Sequence, residues 1–389
     1  MPAFQPLTAP LTEASLPSSV LIACALAALV SFLIGRLIIR HAARLGLQDL
    51  PNDRSSHERP TPRGGGAGIV VAFLLAIACC LPPGWPDGWP IWLPLAAAVT
   101  LALIGFVDDR RGLGLGIRLA VQLLAVAAML LALAAGAPSA AESDIGVLAA
   151  VTGLPSLSAW LPAALSPAII TALDIVVVPL LLVGGVWWIN LFNFMDGIDG
   201  LAALQALFML LAGLAIKATG PGVGFDFNEF IGTPTSATSL VLAAAVAGFL
   251  LLNWAPARVF MGDAGSLFLG FFIFATAAHD VTYGDMSLWA WLILGGLFLV
   301  DASLTLVRRW FTGQSVTAAH RSHLYQRLSR RWGKHSTVAL VYCLVNVTWI
   351  FPLALLAHRV PPWAPMILVL AWMPPAVVAW RAGAGLKET

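Results

Sequence analysis

The chain has 389 residues, of which 59% are hydrophobic and only 10% are charged. Soluble globular proteins carry about 25% charged residues, so the composition excludes an ordinary soluble enzyme and favours an integral membrane protein. The formal net charge of +2 is too small to indicate a nucleic-acid partner. All four cysteines lie in apolar stretches without metal-binding spacing, which indicates small packing residues.

Apolar segments in chain order predict about 11 transmembrane helices. The segments lie at 18–40, 67–82, 92–107, 117–136, 172–190, 199–217, 237–253, 265–279, 287–307, 337–357 and 363–380. Glycine and proline within them do not oppose this interpretation, because neighbouring helices satisfy the freed backbone groups. The predicted fold class is therefore an all-α polytopic integral membrane protein.

The distribution of basic residues predicts the orientation. Of the 21 Lys and Arg residues, 19 fall on one side of the predicted membrane, and only Lys217 and Arg359 fall on the other. Cytoplasmic loops carry the excess of Lys and Arg in membrane proteins. We therefore predict that the N-terminus lies outside and the C-terminus lies in the cytoplasm.

This orientation gives a predicted domain organisation. A periplasmic tail occupies 1–17, a single transmembrane catalytic domain occupies 18–380, and a cytoplasmic tail occupies 381–389. The predicted cytoplasmic loops are 41–66, 108–116, 191–198, 254–264 and 308–336. On the outer side, 83–91 is predicted as a Trp-rich interfacial turn and 137–171 as a short hairpin or re-entrant piece.

Paired carboxylates, Asp108 and Asp109, end the third apolar segment in GFVDDRRG. Acidic groups at a helix C-terminus oppose the helix dipole, which favours cations there. Crowded carboxylates also raise one pKa of the pair, which suits proton abstraction near neutral pH. The pair is interpreted as a general base or a metal-ligand pair, with a charged stop at the membrane surface as the alternative.

A second polar motif, INLFNFMDGIDGLA, follows the fifth apolar segment. Asn190, Asn193, Asp196 and Asp199 recur in it every three residues, which is close to one helical turn. Such residues are costly at a membrane boundary without a ligand. Their oxygen atoms are hard donors that suit Mg²⁺ better than Zn²⁺. A metal or substrate site is therefore predicted, in preference to a turn that merely joins two spans.

A third motif, VFMGDAGSLFLG, contains Phe260 and Asp263. Asp263 precedes the eighth apolar segment, so its carboxylate is interpreted either as a helix N-terminal cap or as a metal ligand. Phe260 either packs at the interface or offers its ring face to a nucleobase.

Basic and histidine residues lie in two further loops. His320, Arg321 and His323 suit phosphate oxygens, because arginine binds them bidentately and histidine donates to them. Arg63 precedes Gly64–Gly66, a run that either exposes backbone N–H groups to an anion or forms a flexible loop. Together, the Mg²⁺-type oxygens and phosphate-type bases predict Mg²⁺-dependent phosphoryl transfer on an anionic substrate reached from the cytoplasm.

The motifs NLFNFMDGIDGLA, VFMGDAGSLFLG and FVDD, in this combination, resemble those of the polyprenyl-phosphate N-acetylhexosamine-1-phosphate transferases. The resemblance runs from about Asp49 to His323. PTPRGGGAG and HRSHLYQ look most like the branch that initiates O-antigen and similar bacterial glycans in lipopolysaccharide biosynthesis. It implies transfer of a sugar 1-phosphate from a UDP-amino-sugar to undecaprenyl phosphate, with release of UMP. The resemblance also implies that the reaction requires Mg²⁺, for which Mn²⁺ can substitute, and that the protein lies in the bacterial inner membrane.

The polar motifs and the resemblance together assign roles to individual residues. The expected catalytic residues are Asp108, Asp109 and Asp196; the expected substrate-binding residues are Asn190, Asp199, Phe260, His320, Arg321, His323 and Arg63; the expected metal ligands are Asn193 and Asp263. Among these, the resemblance places Asp199 and Phe260 against the uracil. Some relatives carry a third acid after the aspartate pair, and this chain has Gly112 in its place. The implied reaction is attack of the lipid phosphate on the β-phosphorus, with a covalent aspartyl intermediate as the competing route.

Two other functions stay open at the level of the sequence. A transporter or flippase of lipid-linked sugar would require ionisable residues near mid-membrane and an internal repeat, and no repeat is visible. The peptidoglycan branch of the same family would use a UDP-muramyl-peptide. The identity of the amino sugar and the oligomeric state are open as well, and a homodimer is one of the states the sequence allows.

Overall fold

A computed structural model of the protein describes residues 16–49, 60–80, 92–136, 167–219, 226–318 and 320–387. The predicted Trp-rich turn and most of the predicted N-terminal tail lie outside these residues. The same is true of the predicted hairpin up to residue 166 and of the loop residues 50–59.

The regular secondary structure of the described residues is helical apart from one small pair of strands. The helices are α1 (Leu16–Leu45), α2 (Gly66–Cys80), α3 (Trp92–Arg111), α4 (Leu115–Gly136), α5 (Pro167–Phe194), α6 (Leu201–Lys217), α7 (Phe227–Gly232), α8 (Pro234–Asn253), α9 (Asp263–Tyr283), α10 (Leu288–Leu294), α11 (Gly296–Phe311), α12 (Leu324–Trp332), α13 (His335–Val345), α14 (Phe351–Arg359) and α15 (Ala364–Arg381). A π-helical turn (Asn346–Ile350) joins α13 to α14, and a 3₁₀ turn (Pro361–Trp363) precedes α15. Strands β1 (Gln48–Asp49) and β2 (Thr61–Pro62) pair antiparallel, which the sequence did not predict.

Each predicted apolar segment coincides with a helix or a helix pair. Seven helices are long and apolar enough to cross a membrane, and eight spans result if the bent pair α10–α11 counts as one. Three further apolar helices are shorter, with 10–17 residues: α2, the Val178–Phe194 part of α5, and α6. The all-α polytopic class is therefore confirmed at this level, while the number of eleven and the orientation of the termini stay predictions.

The ninth predicted segment differs most from the expectation. It was predicted as one helix over 287–307, but the axes of α10 and α11 meet at an angle of 72°. The bend falls at Gly295 and Gly296, where a Cβ atom would lie 2.9 Å from the ring of Trp188 and 2.9 Å from Trp372 Nε1, respectively. Glycine pairs are a known cause of helix kinks, and here two tryptophan rings pack directly on the bent backbone.

The predicted loops are shorter than expected, because helices extend into them. Helices α1, α3 and α5 continue to Leu45, Arg111 and Phe194, and the predicted loop at 308–336 contains α12. The aspartate pair and Asn193 are consequently held on helical backbone.

Helix α9 runs through the centre of the bundle and positions the site. It packs against α2, α3, α4, α5 and α6. Phe268, Phe271 and Ile273 on α9 are at most 1% exposed. Large apolar side chains elsewhere face outward, including Leu124 at 69% and Leu251 at 71% exposure, as expected for surfaces covered by lipid. Because α9 is buried among these helices, its first residues are held rigidly and can serve as the base of the site.

Candidate functional site

Arg63, which follows β2, joins two of the predicted acidic residues. Its Nε atom lies 2.7 Å from Asp109 Oδ1, and its Nη2 atom lies 3.0 Å from Asp263 Oδ1. Burial acts to lower the pKa of Arg63, but the Asp109 and Asp263 carboxylates outweigh it and raise the pKa above its ordinary value. The guanidinium therefore stays charged, and its fork fixes the two carboxylates relative to each other.

Asp109 caps the N-terminus of α9. Its carboxylate accepts hydrogen bonds from the backbone N–H groups of Asp263 at 3.0 Å and Ala264 at 3.3 Å. An anion at this position is favoured by the free N–H groups and the helix dipole. The sequence offered Asp263 as its own helix cap, and the structure corrects this, because Asp109 supplies the cap and leaves the Asp263 carboxylate to other partners.

Asp108 lies one residue earlier on α3 and faces a different set of groups. Its carboxylate accepts a hydrogen bond from the Leu113 N–H group and pairs with Arg118 Nη1 at 3.1 Å. It also contacts the carboxylate of Asp263. Arg118 Nη1 lies 3.9 Å from Asp263 Oδ2, so Asp263 stands between two arginines.

The end of α5 and the loop after it bring two further oxygen-bearing side chains to this cluster. Asn193 donates from Nδ2 to Asp263 Oδ1 at 3.1 Å and to Ser266 Oγ at 3.0 Å. Asp196 is half-buried and accepts a hydrogen bond from the Gly262 N–H group. Burial raises the pKa of Asp196 well above its ordinary value, and the nearby Asp263 carboxylate adds to this effect.

The donor set fits a hard divalent cation. Four carboxylates face two guanidinium groups, so the cluster offers more acidic groups than its arginines can neutralise when all four are ionised. The contact between the Asp108 and Asp263 carboxylates is unfavourable when both are ionised, and a cation would relieve it. Asp108, Asp196 and Asp263, with the amide of Asn193, are the residues that could hold Mg²⁺.

A second group of titratable side chains lies at the opposite end of α9. Within the described residues, one trio of potential metal ligands has its atoms within 4.8 Å of one another, and it consists of His279, Asp280 and Asp285. Asp280 is fully buried, and Lys217 Nζ lies 3.1 Å from its Oδ1 atom. The His279 ring stacks on Tyr283 with a centroid distance of 4.4 Å. At the start of α9, Asp108 and Asp263 are in contact, but no three of the described acids there lie as close together as this trio.

The His loop, residues 320–323, is held by a buried carboxylate on α11. Asp301 accepts hydrogen bonds from the N–H groups of Leu324 at 2.7 Å and Tyr325 at 3.1 Å, and from Tyr342 Oη at 3.2 Å. Its Oδ1 atom lies 3.6 Å from His323 Nδ1. Asp301 thus caps α12 and fixes the end of the loop in one step.

The two histidines of the loop face each other. Their ring centroids are 4.9 Å apart, and His320 Nδ1 lies 3.0 Å from Ser322 Oγ. Burial, with smaller contributions from His323 and Arg309, lowers the pKa of His320 to about 4. At neutral pH His320 is therefore an uncharged imidazole that can donate one hydrogen bond. The backbone carbonyl of Arg321 accepts a bond from Arg330 Nη2 at 2.8 Å.

Tyr325 brings the His loop next to the aspartate cluster. Its hydroxyl donates to the Phe194 carbonyl at 2.9 Å, two residues before Asp196. A Cβ atom on Gly197 would lie 2.1 Å from Tyr325 Oη, so only glycine permits this approach. The predicted phosphate-binding loop and the predicted metal-binding loop are therefore neighbours.

Two residues of the second motif point away from the cluster. Asn190 donates to Gln122 Oε1 on α4 at 2.6 Å and to the Val186 carbonyl at 2.8 Å. Three residues advance a helix by about 300°, so Asn190 and Asn193 diverge by about 60° and meet different helices. Asn190 therefore contacts α4, whereas Asn193 contacts α9.

Asp199 is engaged with structural partners. Its Oδ2 atom accepts from the Ala257 N–H group at 3.0 Å, and its Oδ1 atom lies 3.2 Å from His335 Nδ1. These contacts attach the α5–α6 loop to the α8–α9 loop and to the start of α13. The four polar residues predicted as one set therefore divide, with Asn193 and Asp196 in the cluster and the other two outside it.

The glycine run has a different role from either predicted one. The N–H groups of Gly65 and Gly66 donate to the carbonyls of Phe260 and Met261, both at 2.8 Å. The Phe260 N–H group donates to the Pro62 carbonyl at 2.8 Å. The run is thus neither a flexible loop nor an open anion cradle, and its hydrogen bonds place Arg63 beside α9. The Phe260 ring is half-buried at the same junction.

Three residues with evident positions in the site were not singled out from the sequence. Arg118 was counted only as a topological charge, although it pairs with Asp108. Asp301 was absorbed into the apolar segment 287–307, where a lone acid is itself a signal of function. Tyr325 lies within the motif HRSHLYQ, but its role was not assigned from the sequence, because that role depends on packing against Gly197.

Comparisons with known proteins identify the family. Residues 91–279 match the sequence model of Glycosyl transferase family 4. The chain is 31% identical to the decaprenyl-phosphate N-acetylglucosaminephosphotransferase of Mycobacterium tuberculosis, over 82% of this chain and 78% of the relative. It is 26% identical to the probable undecaprenyl-phosphate N-acetylglucosaminyl 1-phosphate transferase of Bacillus subtilis, over 84% and 82% of the two chains.

A further relative comes from another branch. The chain is 32% identical to the phospho-N-acetylmuramoyl-pentapeptide-transferase of Mycolicibacterium gilvum, over 74% of this chain and 82% of the relative. The resemblance read from the motifs is thereby confirmed. The chain belongs to Glycosyl transferase family 4, among relatives named as polyprenyl-phosphate sugar-phosphate transferases.

Proposed function

We propose that this protein transfers an N-acetylhexosamine 1-phosphate from a UDP-amino-sugar to undecaprenyl phosphate and releases UMP. One observation carries the proposal. Asp108, Asn193 and Asp196 lie close to Asp263, and Asp263 forms an ion pair with Arg63. Oxygen donors beside arginines suit a charged diphosphate. The proposed site faces the cytoplasm at the bacterial inner membrane, because the basic residues cluster at this end.

The donor is proposed from the names of the relatives. Those from Mycobacterium tuberculosis and Bacillus subtilis are named for N-acetylglucosamine, so UDP-N-acetylglucosamine is the first donor to test. The proposed product is the lipid-linked sugar that starts an O-antigen-like glycan.

The proposed reaction is a displacement at phosphorus. An oxygen of the lipid phosphate attacks the β-phosphorus, the bond from that phosphorus to the bridging oxygen breaks, and UMP leaves with the electron pair. The second pKa of a phosphate monoester is about 6, so most of the undecaprenyl phosphate is already a dianion at neutral pH. The protein therefore needs to orient the acceptor and neutralise charge more than it needs to remove a proton.

The two paired aspartates have different proposed roles. The Asp109 side chain is fully buried and is occupied by Arg63 and the start of α9. Asp109 is thus proposed to position Asp263. Asp108 contacts Asp263 directly, and its side chain is 8% exposed. Asp108, with the half-buried Asp196, is proposed to face the reacting groups.

Charge neutralisation is proposed to come from several groups. Asp108, Asp196, Asp263 and Asn193 are assigned as the residues that would hold Mg²⁺ or Mn²⁺. Such an ion neutralises diphosphate charge when bound. The Arg63 side chain is 36% exposed, so it can donate to phosphate oxygens from the edge of the cluster.

The His loop and the uracil contacts complete the proposal. Uncharged His320, with His323 and Arg321, is proposed to donate to the diphosphate oxygens. Phe260 and Asp199 are the proposed uracil contacts, and the hydrogen bond from the Ala257 N–H group fixes the Asp199 carboxylate in place.

A second candidate function is the transfer of phospho-N-acetylmuramoyl-pentapeptide. The 32% identity to the Mycolicibacterium gilvum relative favours it specifically. The two functions share acceptor, ion and chemistry, and they differ in the sugar. They are therefore separated by the donor alone.

The test is a donor panel with purified protein in nanodiscs. UDP-N-acetylglucosamine, UDP-N-acetylgalactosamine and UDP-N-acetylmuramoyl-pentapeptide are each supplied with undecaprenyl phosphate and Mg²⁺. Release of UMP and the mass of the lipid product are measured without any ion gradient, which also excludes coupled transport. We expect turnover with one N-acetylhexosamine donor and loss of turnover with EDTA. Absence of UMP release from every donor would contradict the proposal.

A further inference from the structure

The chain turns back sharply after its last helix. Helix α15 ends at Arg381, and residues 382–386 fold against the protein instead of extending away. Gly383 and Gly385 have φ values of +78° and +82°, the left-handed region that favours glycine. We call residues 382–386 the C-terminal latch.

The latch is attached to α11. Arg308 Nη1 donates to the carbonyls of Trp380 at 2.9 Å and Ala384 at 3.2 Å, and the guanidinium lies 4.1 Å from the centre of the Trp380 ring. A Cβ atom on Gly385 would lie 2.7 Å from the Thr305 carbonyl oxygen. The latch therefore lies directly on the helix that carries Asp301.

The latch is also bound to the His loop and to α12. The Gly385 N–H group donates to the Ser322 carbonyl at 2.9 Å, and Arg327 Nη2 donates to the Leu386 carbonyl at 2.5 Å. Gln314 Nε2, from the segment after α11, donates to the Gly385 carbonyl at 2.9 Å. These bonds join the latch to both ends of the irregular segment between α11 and α12.

Burial of a small apolar contact accompanies these hydrogen bonds. Ala384 is fully buried and forms a cluster with Leu324 and Ala379. Leu324 is the first residue of α12, immediately after His323. The latch thus packs on the residue that directly follows the His loop, while Tyr325, the next residue, contacts Phe194.

We propose that the C-terminal latch is a positioning element that fixes the His loop and thereby sets the affinity of the enzyme for its diphosphate donor. This inference rests on the proposed function. The path runs from the Gly385 N–H group to the Ser322 carbonyl, and from the Ser322 hydroxyl to His320 Nδ1 at 3.0 Å. Without the latch, the loop loses this backbone anchor and must be ordered by the donor itself, which weakens donor binding.

The test compares two truncations of the full chain. A chain ending at Arg381 lacks the latch, whereas a chain ending at Leu386 keeps every contact described above. For the first, we expect the KM for UDP-N-acetylglucosamine to rise about tenfold, equivalent to the loss of one or two hydrogen bonds. The kcat and the KM for undecaprenyl phosphate should stay within about twofold of the full chain, because the latch is inferred to act on the donor only.

Two further measurements keep the inference testable if the shorter truncation folds poorly. Gly385→Ala retains the chain length but places a Cβ atom against Thr305, and it should reproduce the increase in donor KM. Hydrogen exchange of the amides at 320–326 reports the loop without any assay of activity, and it should accelerate in both latch variants.

The outcomes separate this inference from the proposed function. Faster exchange together with a raised donor KM supports the latch. Unchanged exchange, or faster exchange with an unchanged donor KM, overturns it. If the full chain releases no UMP from any donor, the proposed function fails, and the exchange measurement then decides alone whether the latch orders the His loop.

Discussion

Helix α9 carries polar side chains at both ends, and the two groups are assembled in different ways. At the start, Asp263 meets side chains from the segment after β2, from α3, from α4 and from α5. At the end, His279, Asp280 and Asp285 come from one stretch of seven residues, and Lys217 on α6 supplies the counter-charge.

The comparison shows that close spacing of ligand-type residues does not by itself mark an active site. The trio at the end of α9 is the tighter one, but its buried acid is already neutralised by Lys217. The cluster at the start is looser, holds four carboxylates against two guanidinium groups, and borders partly exposed arginines. Convergence from distant elements and unbalanced charge are therefore the features that favour catalysis at the start of α9.

The largest expected effect is a loss of activity when the Asp263 carboxylate at the start of α9 is replaced by a neutral amide. Asp263→Asn removes the charge that faces Arg63, and we expect UMP release to fall at least about 100-fold, as for other groups that stabilise developing charge. The matched control is Asp285→Asn at the other end, which should stay within about twofold. Equal losses in the two variants would remove the distinction between the ends.

A second experiment tests the other end by stability. Lys217→Met leaves the buried Asp280 carboxylate without its cation, and breaking a buried pair in this way costs about 3–5 kcal/mol. We expect a lower thermal midpoint with unchanged turnover of the folded fraction. Adding Asp280→Asn should recover part of the lost stability, because the uncompensated charge is gone. A double variant no more stable than Lys217→Met would argue against a structural pair.

A third experiment separates the His loop from the cluster. In Gly197→Ala the new methyl group clashes with Tyr325 Oη, and overpacking of this kind costs about 1–3 kcal/mol. We expect a raised donor KM with a modest loss of stability. Gly184→Ala on α5 is the control, because a Cβ atom there meets nothing within 4 Å. A wild-type donor KM in Gly197→Ala would show that the Tyr325 contact is dispensable.

The smallest expected effect concerns pH. Burial lowers the pKa of His320 from its ordinary value of 6.5 to about 4. Between these values the unfolded chain binds a proton that the folded chain does not, so this residue makes stability rise with pH across that window. His320→Gln should therefore flatten the rise of the thermal midpoint between about pH 4.5 and 6.5. An unchanged slope in this variant would count against burial of a neutral His320.

The central part of the site was predictable from the sequence, because motif chemistry identifies residue types without knowledge of packing. Asp108, Asn193, Asp196 and Asp263 were identified in this way, and the structure brings them together. The capping role of Asp109 was not predictable, because it requires α3 and α9 to meet across 154 residues of chain.

The fold shows the same limit. Apolar stretches located the helices, since hydropathy is a local property of the sequence. The 72° bend between α10 and α11 lies against two tryptophan rings from other helices. The sequence of the segment itself therefore indicates the bend only through its glycine pair. Asp301 was overlooked for the related reason that the α12 and α13 groups it binds lie more than twenty residues further along the chain.

The pairing of Arg63 with Asp263 also determines when the site can assemble during protein synthesis. The two residues are 200 positions apart. At about 5–20 residues per second, a ribosome needs about 10–40 s to add the second after the first. During that interval Arg63 and Asp109 have been synthesised without the helix start that Asp109 caps. The site is thus a late product of biosynthesis, and membrane insertion must tolerate its unmatched charges until α9 is released.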